Sequence, residues 1–445
     1  MKKARCHLLA VGVAALIPAG AAFATNPLIM DQFTADPAAR VFDGRVYVYP
    51  SHDIIAVPGK GRPGWFCMAD YHVFSSQNLT DWRDHGVVVS QIDVPWVDSS
   101  SYSMWAPDCV SKNGKYYFYF PARAKNGGFR IGVAVADRPG GPFTPEPEPM
   151  ADVRGIDPCV FLDGDGTAYL FYAARKIFAV KLRDDMLEVD GTPQVVENLP
   201  TQGLIEGPFV FERKGVYYLT YPHAANKTER LEYAISDHPL GPYRPAGVVM
   251  DESPDGCWTN QSSIVEYQGQ WLLFYHDHDL SPAFDKARSI RADRLYFNND
   301  GTIRKVIPTR RGVGIVAATR EIQIDRYSAA SRDGISVSFL NPDNPHEGWQ
   351  ISLAGASAWV RFSDVDFGNG TLTTVKTRAA APAGGAIEIR LDKEDGPVLG
   401  RVQIAPGSVW TVVKATVRNV SAGVHDLVVT QGGPTPVALD WVSFE

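Results

Sequence analysis

The sequence lacks several features that would assign it to a large class of proteins. It contains only five cysteines. Four of them, Cys67, Cys109, Cys159 and Cys257, are too far apart for the spacing of zinc ligands, so they are compatible with one or two disulfides or with buried thiols. It has no cluster of basic residues, and its formal net charge is −7. That balance argues against nucleic acid and anionic membranes as partners.

The sequence also has no apolar run of membrane-spanning length in its N-terminal region. The run over residues 8–17 is too short to cross a bilayer. It follows a basic start and precedes Ala22-Phe23-Ala24, a small-x-small site of the kind that signal peptidases cut. We therefore expect residues 1–24 to be a secretory leader. The mature chain would then be exported, to a periplasm or out of the cell, without membrane insertion.

Helical periodicity is absent from every long stretch of the sequence. Apolar residues instead occur in short runs bounded by turn signals such as Asp43-Gly44, Asn113-Gly114 and Asp300-Gly301. Aromatic residues make up 11% of the chain. These features predict an all-β protein.

One pattern occurs five times along the first part of the chain. Each copy has an acid or amide beside a proline or small residue, then an apolar strand, a glycine turn and an aromatic strand. The copies begin at Asp36, Pro107, Asp157, Glu206 and Asn260. The later spacings are about 50 residues, with roughly four strands per copy, as a propeller blade requires. The repeat therefore predicts a five-bladed β-propeller.

The character of the sequence changes after Gly314. Residues 315–320 are typical of a linker, and short alternating strands follow from Glu321 to Glu445. This pattern predicts a second domain built as a β-sandwich of the jelly-roll type. We therefore divide the chain into a leader of residues 1–24, a propeller of residues 25–316 and a sandwich of residues 317–445.

Three of the five copies begin with an acid, namely Asp36, Asp157 and Glu206. Residues at equivalent repeat positions of a propeller converge at one mouth of its central channel, where crowded carboxylates raise the pKa of at least one of them. Glycosidic cleavage needs such a difference, since one carboxyl donates a proton and another activates water. The alternative is a solvated surface role, which most of the 50 acidic residues must have.

Four segments resemble the signature segments of glycoside hydrolase family 43, in the order Gln32–Pro37, Met104–Asp108, Gly155–Pro158 and Ile205–Pro208. The resemblance runs from about Asn26 to Gly314. It implies an inverting enzyme in which Asp36 is the general base and Glu206 the general acid, while Asp157 orients and tunes that acid.

The same resemblance implies further contacts to sugar and metal. His276 resembles an axial histidine that holds water or a calcium ion in the channel, and Arg288 resembles an arginine beside the scissile bond. Phe33 and Trp105 would form apolar walls for the sugar ring. A core histidine, a solvated arginine and core aromatics are the corresponding structural alternatives.

The resemblance implies an exo-acting enzyme that releases a pentose from plant-type oligo- or polysaccharides, with α-L-arabinofuranose placed first. The alternatives are a β-xylosidase, an endo-arabinanase or a non-catalytic sugar-binding propeller. Propellers that cleave fructosides fit less well, because Ala35 precedes Asp36 where that group has asparagine, and Ile156 precedes Asp157 where it has arginine. No organic cofactor is implied, and the sequence does not indicate an oligomeric state.

The second domain resembles a carbohydrate-binding module of family 6, in segments that include Ile322–Tyr327, Trp359–Phe362, Gly385–Asp392 and Leu439–Trp441. Such modules usually hold a structural calcium ion. The resemblance implies Gln323, Asp325 and Asp440 as its ligands, and their oxygen atoms suit calcium.

The sugar-binding cleft of that module family is incomplete in this sequence. Trp410 supplies one aromatic platform, but Leu353 stands where a second aromatic is expected and Ala438 where an asparagine is expected. We therefore hypothesise that the cleft is weakened or lost and that the domain mainly buttresses the propeller.

Overall fold

The computed structural model describes residues 25–225, 227–344 and 347–445. Within these ranges the chain forms thirty-two strands and no α-helix, so the predicted all-β class is confirmed. Accordingly, none of the described residues belongs to a helix that could cross a membrane. The expected leader, residues 1–24, lies outside the described residues.

The first domain consists of five sheets, each built from strands that follow one another along the chain. Blade by blade, the strands are β1 (Phe33–Phe42), β2 (Arg45–Asp53), β3 (Asp70–Ser76) and β4 (Arg83–Ser90); β5 (Asp108–Lys112), β6 (Lys115–Arg123), β7 (Phe129–Ala136) and β8 (Thr144–Pro145); β9 (Ile156–Leu162), β10 (Ala168–Ala173), β11 (Ile177–Leu182) and β12 (Val189–Val195); β13 (Leu204–Ile205), β14 (Phe209–Arg213), β15 (Val216–Ala224), β16 (Arg230–Ser236) and β17 (Arg244–Met250); β18 (Ser263–Tyr267), β19 (Gln270–Asp277) and β20 (Ser289–Leu295).

The inner strands of the five sheets surround one axis. β1 contacts β5, β5 contacts β9, β9 contacts β14, β14 contacts β18, and β18 contacts β1 again. The start of the described chain completes the fifth blade, because the backbone N–H of Leu28 donates to the carbonyl of Ile290 at 2.9 Å. The predicted five-bladed propeller is therefore confirmed, and its ring is closed by an early segment of the chain.

Two-residue turns set the register of four inner hairpins. In the first, Asp43 and Gly44 have φ values of 50° and 69° and Phe42 pairs with Arg45. The equivalent turns are Asn113-Gly114, Lys214-Gly215 and Gln268-Gly269, again with positive φ at both positions. This is the type I′ geometry that matches the right-handed twist of paired strands. The turn signals in the sequence therefore identify the inner hairpins.

Apolar side chains fill the interfaces between neighbouring blades. Tyr49, from blade one, packs in one cluster with Phe118, from blade two, while Phe171 of blade three shares a cluster with Tyr221 of blade four. All four cysteines of the propeller are buried free thiols. Of the alternatives left open by the sequence, the structure therefore has buried thiols.

The second domain is a sandwich of two six-stranded sheets around one apolar core. Its strands are β21 (Val316–Ala317), β22 (Ile322–Gln323), β23 (Ala329–Ala330), β24 (Ile335–Phe339), β25 (Trp349–Leu353), β26 (Trp359–Asp366), β27 (Thr374–Ala381), β28 (Gly385–Leu391), β29 (Val398–Ile404), β30 (Gly407–Thr416), β31 (Val424–Gln431) and β32 (Val437–Phe444).

The segment predicted as a linker is partly built into the sandwich. Val316 and Ala317 form β21, which pairs in parallel with Val365 and Asp366 of β26. Val316 also belongs to the core of the second domain. The linker prediction for residues 315–320 was wrong here, because a two-residue edge strand is too short to produce a periodic pattern.

Polar contacts hold the two domains against each other. Arg294 of blade five forms an ion pair with Asp364 at 2.6 Å, and Arg311 donates to the carbonyl of Ser363 at 3.0 Å. Arg326 donates in the other direction, to the carbonyl of Asn26 at 3.1 Å. Since Asn26 and Arg294 lie where the ring closes, the sandwich is attached to the closure of the propeller.

Candidate active site

A backbone irregularity places the first two acids of the repeat. Asp36 has a φ of 48° and Asp157 a φ of 55°, and the strand register shifts at both positions. Each residue therefore lies in a β-bulge next to a proline. Positive φ is uncommon for residues other than glycine and costs about 1–3 kcal/mol, so it persists only where surrounding contacts enforce it. Such bulges redirect side chains at the rims of barrels and near active sites.

Glu206 is placed by a related interruption of the fourth inner strand. It lies between β13 and β14, both of which pair with β15, and Gly207 takes the positive φ, at 50°. A side chain at Gly207 would meet the ring of Pro222 at 3.0 Å. Gly207 therefore occupies the position that Asp36 and Asp157 hold, directly before proline, and the acid is displaced by one residue.

The three acids line one cavity at the mouth of the channel, with a volume of about 90 Å³. Aromatic and apolar side chains form its walls: Trp65, Phe66, Met68, Trp105 and Trp258. Trp105 therefore lies where the sequence places it. Phe33 is half-buried at the start of β1 and is not part of this lining, so it was wrongly expected to form a wall. Phe66 and Trp258 supply that surface instead.

Both oxygens of Asp36 are engaged. Oδ1 accepts a hydrogen bond from Nη1 of Arg288 at 2.7 Å, and Oδ2 accepts one from the hydroxyl of Ser51 at 2.7 Å. Contacts to an ionised partner are the stronger kind of hydrogen bond. They orient the Asp36 carboxylate toward the cavity.

Arg288 is itself held in place by the buried Asp53. Nε of Arg288 donates to Oδ2 of Asp53 at 2.9 Å, and Nη2 donates to Oδ1 at 3.0 Å. The face of the guanidinium lies over the ring of Phe66, 4.7 Å from its centre. Two parallel hydrogen bonds and a stacked face leave Arg288 little freedom. Arg288 therefore lies in the cavity as predicted, but most of its donors serve Asp36 and Asp53.

Asp157 and Glu206 are electrostatically crowded. Burial, together with the charges of Glu206 and Asp36, raises the pKa of Asp157 well above its ordinary value. Burial and the charges of Glu229 and Asp36 do the same to the pKa of Glu206. Oδ2 of Asp157 accepts the backbone N–H of Gly207 at 3.0 Å, which ties it to the segment that carries Glu206. Both groups therefore keep a proton to higher pH than an ordinary carboxyl does.

His276 has the structural role that the sequence left open as the alternative to binding sugar or metal. Its Nδ1 accepts the backbone N–H of Asp36 at 3.1 Å, and its Nε2 donates to the carbonyl of Thr259 at 2.9 Å. Burial lowers the pKa of His276 to about 3. Both ring nitrogens are occupied and the side chain is buried. The expectation that His276 binds sugar or calcium is therefore corrected, since it supports the bulge at Asp36 and offers no free nitrogen to a metal.

Several site residues were missed in the sequence, among them Trp258, Asp53 and Glu229. Trp258 stands two positions before Asn260, as Trp105 stands two positions before Pro107, so the repeat register offered a signal for it. Asp53 ends β2, and Glu229 lies between β15 and β16. Neither acid is at a repeat start, and nothing in the sequence distinguishes them from surface acids.

The proposed calcium ligands of the sandwich gather at one place. Asp325 and Asp440 are buried, and the backbone N–H of Ile324 donates to the carbonyl of Asp440 at 2.8 Å. Oδ2 of Asp325 is buried without a hydrogen-bond donor. Burial, with the nearby charges of Glu321 and Asp325, raises the pKa of Asp440. Each carboxylate also has a cationic partner, since Nε of Arg326 lies 3.2 Å from Oδ2 of Asp325 and Nη1 of Arg378 donates to Oδ2 of Asp440 at 2.5 Å. With Gln323 alongside on β22, the group still offers the oxygen ligands that suit a calcium ion, which would take the place of these arginine contacts.

The sandwich does not present the sugar-binding cleft with two aromatic platforms that its resemblance to family 6 modules implies. Leu353 is completely buried in the core, so its position cannot present a surface platform. Trp410 is half-exposed on β30, and the guanidinium of Arg378 lies over its ring at 5.5 Å. Ala438 lies on β32 beside Ser352. These positions agree with the hypothesis of a weakened cleft.

Comparisons with known proteins extend over both domains. Residues 24–303 match the family described as "Glycosyl hydrolases family 43", and residues 328–445 match "Carbohydrate binding module (family 6)". A protein of Humicola insolens named xylosidase/arabinosidase 43A is 38% identical over 62% of this chain and 98% of its own length.

Solved structures give the same result. A β-xylosidase/α-arabinofuranosidase from a compost microbial metagenome, in complex with xylotriose, is 36% identical with a TM-score of 0.58, over 64% of this chain and 98% of its own. An arabinoxylan arabinofuranohydrolase from Bacillus subtilis, in complex with cellotetraose, is 25% identical with a TM-score of 0.56, over 94% of this chain and 97% of its own. The chain therefore belongs to glycoside hydrolase family 43 and carries a family 6 carbohydrate-binding module at its C-terminal end.

Proposed function

We propose that the protein is an inverting exo-glycosidase that releases a terminal pentose from arabinosides or xylosides, with α-L-arabinofuranosides as its first substrates. Asp36 is the general base and Glu206 the general acid. Asp157 positions the acid through the backbone of Gly207.

The proposal rests on one observation, which is the unequal environment of two carboxyls at the same cavity. Asp36 accepts hydrogen bonds from a guanidinium and a hydroxyl, an arrangement suited to an ionised group that takes a proton from water. Glu206 is half-buried, and burial and neighbouring charges raise its pKa. It is therefore suited to hold a proton until a leaving oxygen needs it.

The reaction is a single displacement. Asp36 removes a proton from a water molecule, and the water oxygen bonds to the anomeric carbon from the side opposite the leaving group. The bond from that carbon to the glycosidic oxygen breaks, and Glu206 gives its proton to the departing oxygen. Both carboxyls return to their starting states by exchanging one proton each with solvent.

The substrate class is supported by the relatives and by the cavity. The names of two relatives combine xylosidase and arabinosidase or arabinofuranosidase activities, and a relative that covers both domains is an arabinoxylan arabinofuranohydrolase. The aromatic walls of the cavity suit packing against the face of a sugar ring.

The acid and base assignments are tested with substrates of different leaving-group quality. Asp36→Ala should lose about 10²–10⁴-fold in kcat/KM on every substrate, because no leaving group replaces the base. Glu206→Ala should lose as much on an alkyl pentoside but far less on an activated aryl pentoside, whose leaving group needs no proton. Glu266→Ala, at an exposed glutamate on β18, is the matched control and should keep wild-type activity.

Equal losses for Glu206→Ala on both kinds of substrate would refute the acid assignment. Proton NMR of the first-formed sugar tests the stereochemistry, and retention of anomeric configuration would refute inversion. Comparing 4-nitrophenyl α-L-arabinofuranoside with the β-D-xylopyranoside ranks the two pentoses. Release of neither sugar by the folded protein would contradict the proposed substrate class.

Three further properties are proposed on the grounds given above. The basic start and small-x-small site of residues 1–24 support export of the mature chain. The buried carboxylates of Asp325 and Asp440, with Gln323 beside them on β22, support a structural calcium ion in the sandwich. The ion pair between Arg294 and Asp364 supports a buttressing role for the sandwich.

A further inference from the structure

Three side chains of the kinds that bind metal ions meet beside the cavity. Cys257 lies between β17 and β18, Asp277 ends β19, and His278 directly follows it. The sulfur of Cys257, a carboxylate oxygen of Asp277 and a ring nitrogen of His278 all lie within 4.8 Å of one another. The three residues are only 1%, 6% and 5% exposed, in that order. Cys257 directly precedes Trp258, which lines the cavity, so the group lies next to the active site.

The ring of His278 gives an independent indication that this group binds a ligand. Its Nδ1 is buried and has no hydrogen-bond partner among the described residues. A neutral imidazole nitrogen carries either a lone pair or a proton. In either state a buried nitrogen without a partner is costly. A metal ion that accepts the lone pair of one ring nitrogen, and so fixes the tautomer and orientation of the ring, removes this cost.

The carboxylate of Asp277 is already oriented by its surroundings. Its Oδ1 accepts the backbone N–H of His278 at 2.8 Å and lies 3.2 Å from Oγ of Ser253, while its Oδ2 accepts Nη1 of Arg291 at 3.2 Å. A carboxylate has about four acceptor positions, so these three donors leave one position for a metal ion. Hydrogen bonds of this kind are what orient a ligating carboxylate.

The charges of the group suit a divalent cation. The thiolate of Cys257 and the carboxylate of Asp277 together balance a charge of +2, and the imidazole of His278 is neutral, so the occupied site has no net charge. Arg291, the nearest cation to Asp277, also pairs with Asp279 at 3.5 Å. The other charged groups that face Cys257 are Arg288, Asp285 and Asp53. Burial raises the pKa of the Cys257 thiol, so a metal ion has to displace its proton.

The chemistry of the three donor atoms selects zinc. Thiolate, imidazole and carboxylate are the ligands that zinc takes in proteins, whereas calcium takes six to eight oxygens. The ligand atoms of a tetrahedral zinc ion are about 3.3–3.8 Å apart, given bonds of about 2.0–2.3 Å. Separations of up to 4.8 Å therefore have to close by about 1 Å, which small rotations of the side chains supply.

We propose that Cys257, Asp277 and His278 bind a structural zinc ion, which fastens the segment that carries Trp258 to the end of β19. Zinc bonds to the sulfur, the thiol proton passes to solvent, and no group is oxidised or reduced. A water molecule takes the fourth position of the ion. This site is separate from the glycosidase chemistry proposed above and from the calcium site proposed for the sandwich.

Metal titration of the full-length protein tests the site. Metal-free protein is kept in excess calcium, so that the sandwich site does not contribute, and zinc is then added. Zinc should raise the unfolding temperature by mass action on the folded state. Cobalt in place of zinc should give the near-ultraviolet charge-transfer band of a cobalt–thiolate bond, which no histidine or carboxylate ligand produces.

Cys257→Ala should abolish the cobalt band and bind one zinc ion fewer per chain than wild type. Cys109→Ala, which removes a buried thiol of blade two, is the matched control and should keep both properties. Asp325→Ala should keep the zinc response, because that residue belongs to the sandwich.

A second group, formed by His52, Asp70 and His72, also has suitable atoms within 4.8 Å of one another. It contains no thiol, and its histidines are paired already, His52 with Asp70 at 2.6 Å and His72 with Asp84 at 2.9 Å. His72→Ala should therefore leave the cobalt band and the rise in unfolding temperature intact. A zinc response that is lost in His72→Ala and kept in Cys257→Ala would overturn the proposal.

Absence of the cobalt band from the wild-type protein would also overturn the proposal, and this outcome does not depend on whether Cys257→Ala folds. Hydrogen exchange tests the fastening role directly. Zinc should slow exchange of the backbone amides of residues 252–257 in the wild-type protein and not in His278→Ala. Unchanged exchange of this segment with zinc bound would refute that role. None of these measurements uses hydrolysis, so their failure and the failure of the proposed function are distinguishable.

Discussion

Nη1 of Arg288 donates to Oδ1 of Asp36 at 2.7 Å, although 252 residues separate them in the chain. Arg288 directly precedes the last strand of blade five, and Asp36 lies in the first strand of blade one. This contact therefore exists only when the ring is closed. The same closure that completes the propeller orients the proposed general base, so activity should follow the integrity of the ring.

Asp53→Asn should disturb the contact between Arg288 and Asp36, because Asp53 holds Arg288 in place. Asp53 accepts three hydrogen bonds from Arg288, one from its backbone and two from its guanidinium, and asparagine places an N–H₂ against one of these donors. We expect at least a tenfold fall in kcat/KM. Breaking a buried ion pair costs about 3–5 kcal/mol, so thermal unfolding should shift downward as well. Asp93→Asn, at an exposed position, is the control and should change neither kcat/KM nor the unfolding temperature. If Asp53→Asn also changed neither, Arg288 would hold Asp36 without help from Asp53.

Asp157→Asn and Asp157→Ala should differ strongly. Because burial and nearby charges raise the pKa of Asp157, asparagine imitates its protonated form and can still accept the N–H of Gly207. We expect Asp157→Asn to stay within about tenfold of wild-type kcat/KM at neutral pH. Asp157→Ala leaves Gly207 without its acceptor, and misplacement of Glu206 should cost about 10²-fold. Steady-state kinetics of both variants test this difference. Equal losses of kcat/KM would show that Asp157 acts through its negative charge.

Glu229→Gln should change how stability depends on pH. The pKa of Glu229 is raised from 4.5 to about 8 in the folded protein, mainly by burial. The contribution of this group to stability is therefore fully present below the unfolded pKa and is lost as pH rises through the folded pKa. Glutamine has no such loss, so the variant should become progressively more stable than wild type between about pH 4.5 and 8.

Thermal unfolding of Glu229→Gln and wild type over that pH range measures this difference. Glu266→Gln, at an exposed position on β18, serves as the control and should follow wild type. Parallel curves for Glu229→Gln and wild type would mean that the carboxyl is ionised at no cost, in conflict with its burial.

Chelation should destabilise the sandwich if calcium occupies the site around Asp325 and Asp440. We expect EDTA to lower the unfolding temperature of the full-length protein and added calcium to restore it, by mass action on the folded state. Asp325→Ala should abolish this response, whereas Asp395→Ala, at an exposed acid of the same domain, should retain it. An unfolding temperature insensitive to EDTA and calcium would argue against a structural ion.

Much of the fold was predictable because its signals are local. Type I′ turns require residues that tolerate positive φ, and pairs such as Asp43-Gly44 and Lys214-Gly215 stand where the inner hairpins turn. The repeat register places Asp36 and Asp157 at equivalent positions and Glu206 one residue earlier in its copy, and all three line one cavity. The edge strand β21 could not be found in this way, since two residues carry no periodicity.

The sequence by itself determined the all-β class, the five repeats and the three acids at the repeat starts. Turn residues, strand alternation and repeat spacing can all be recognised from short segments of the chain. Only the tertiary structure decided which other residues meet those acids. Trp258 lines the cavity, Asp53 holds Arg288 in place, and Glu229 accepts the backbone N–H of Asn260. His276 uses both ring nitrogens to bind the backbone. These contacts depend on closure of the ring, which brings together groups that are distant along the chain. Closure therefore sets how deeply these groups are buried and which charges lie near them.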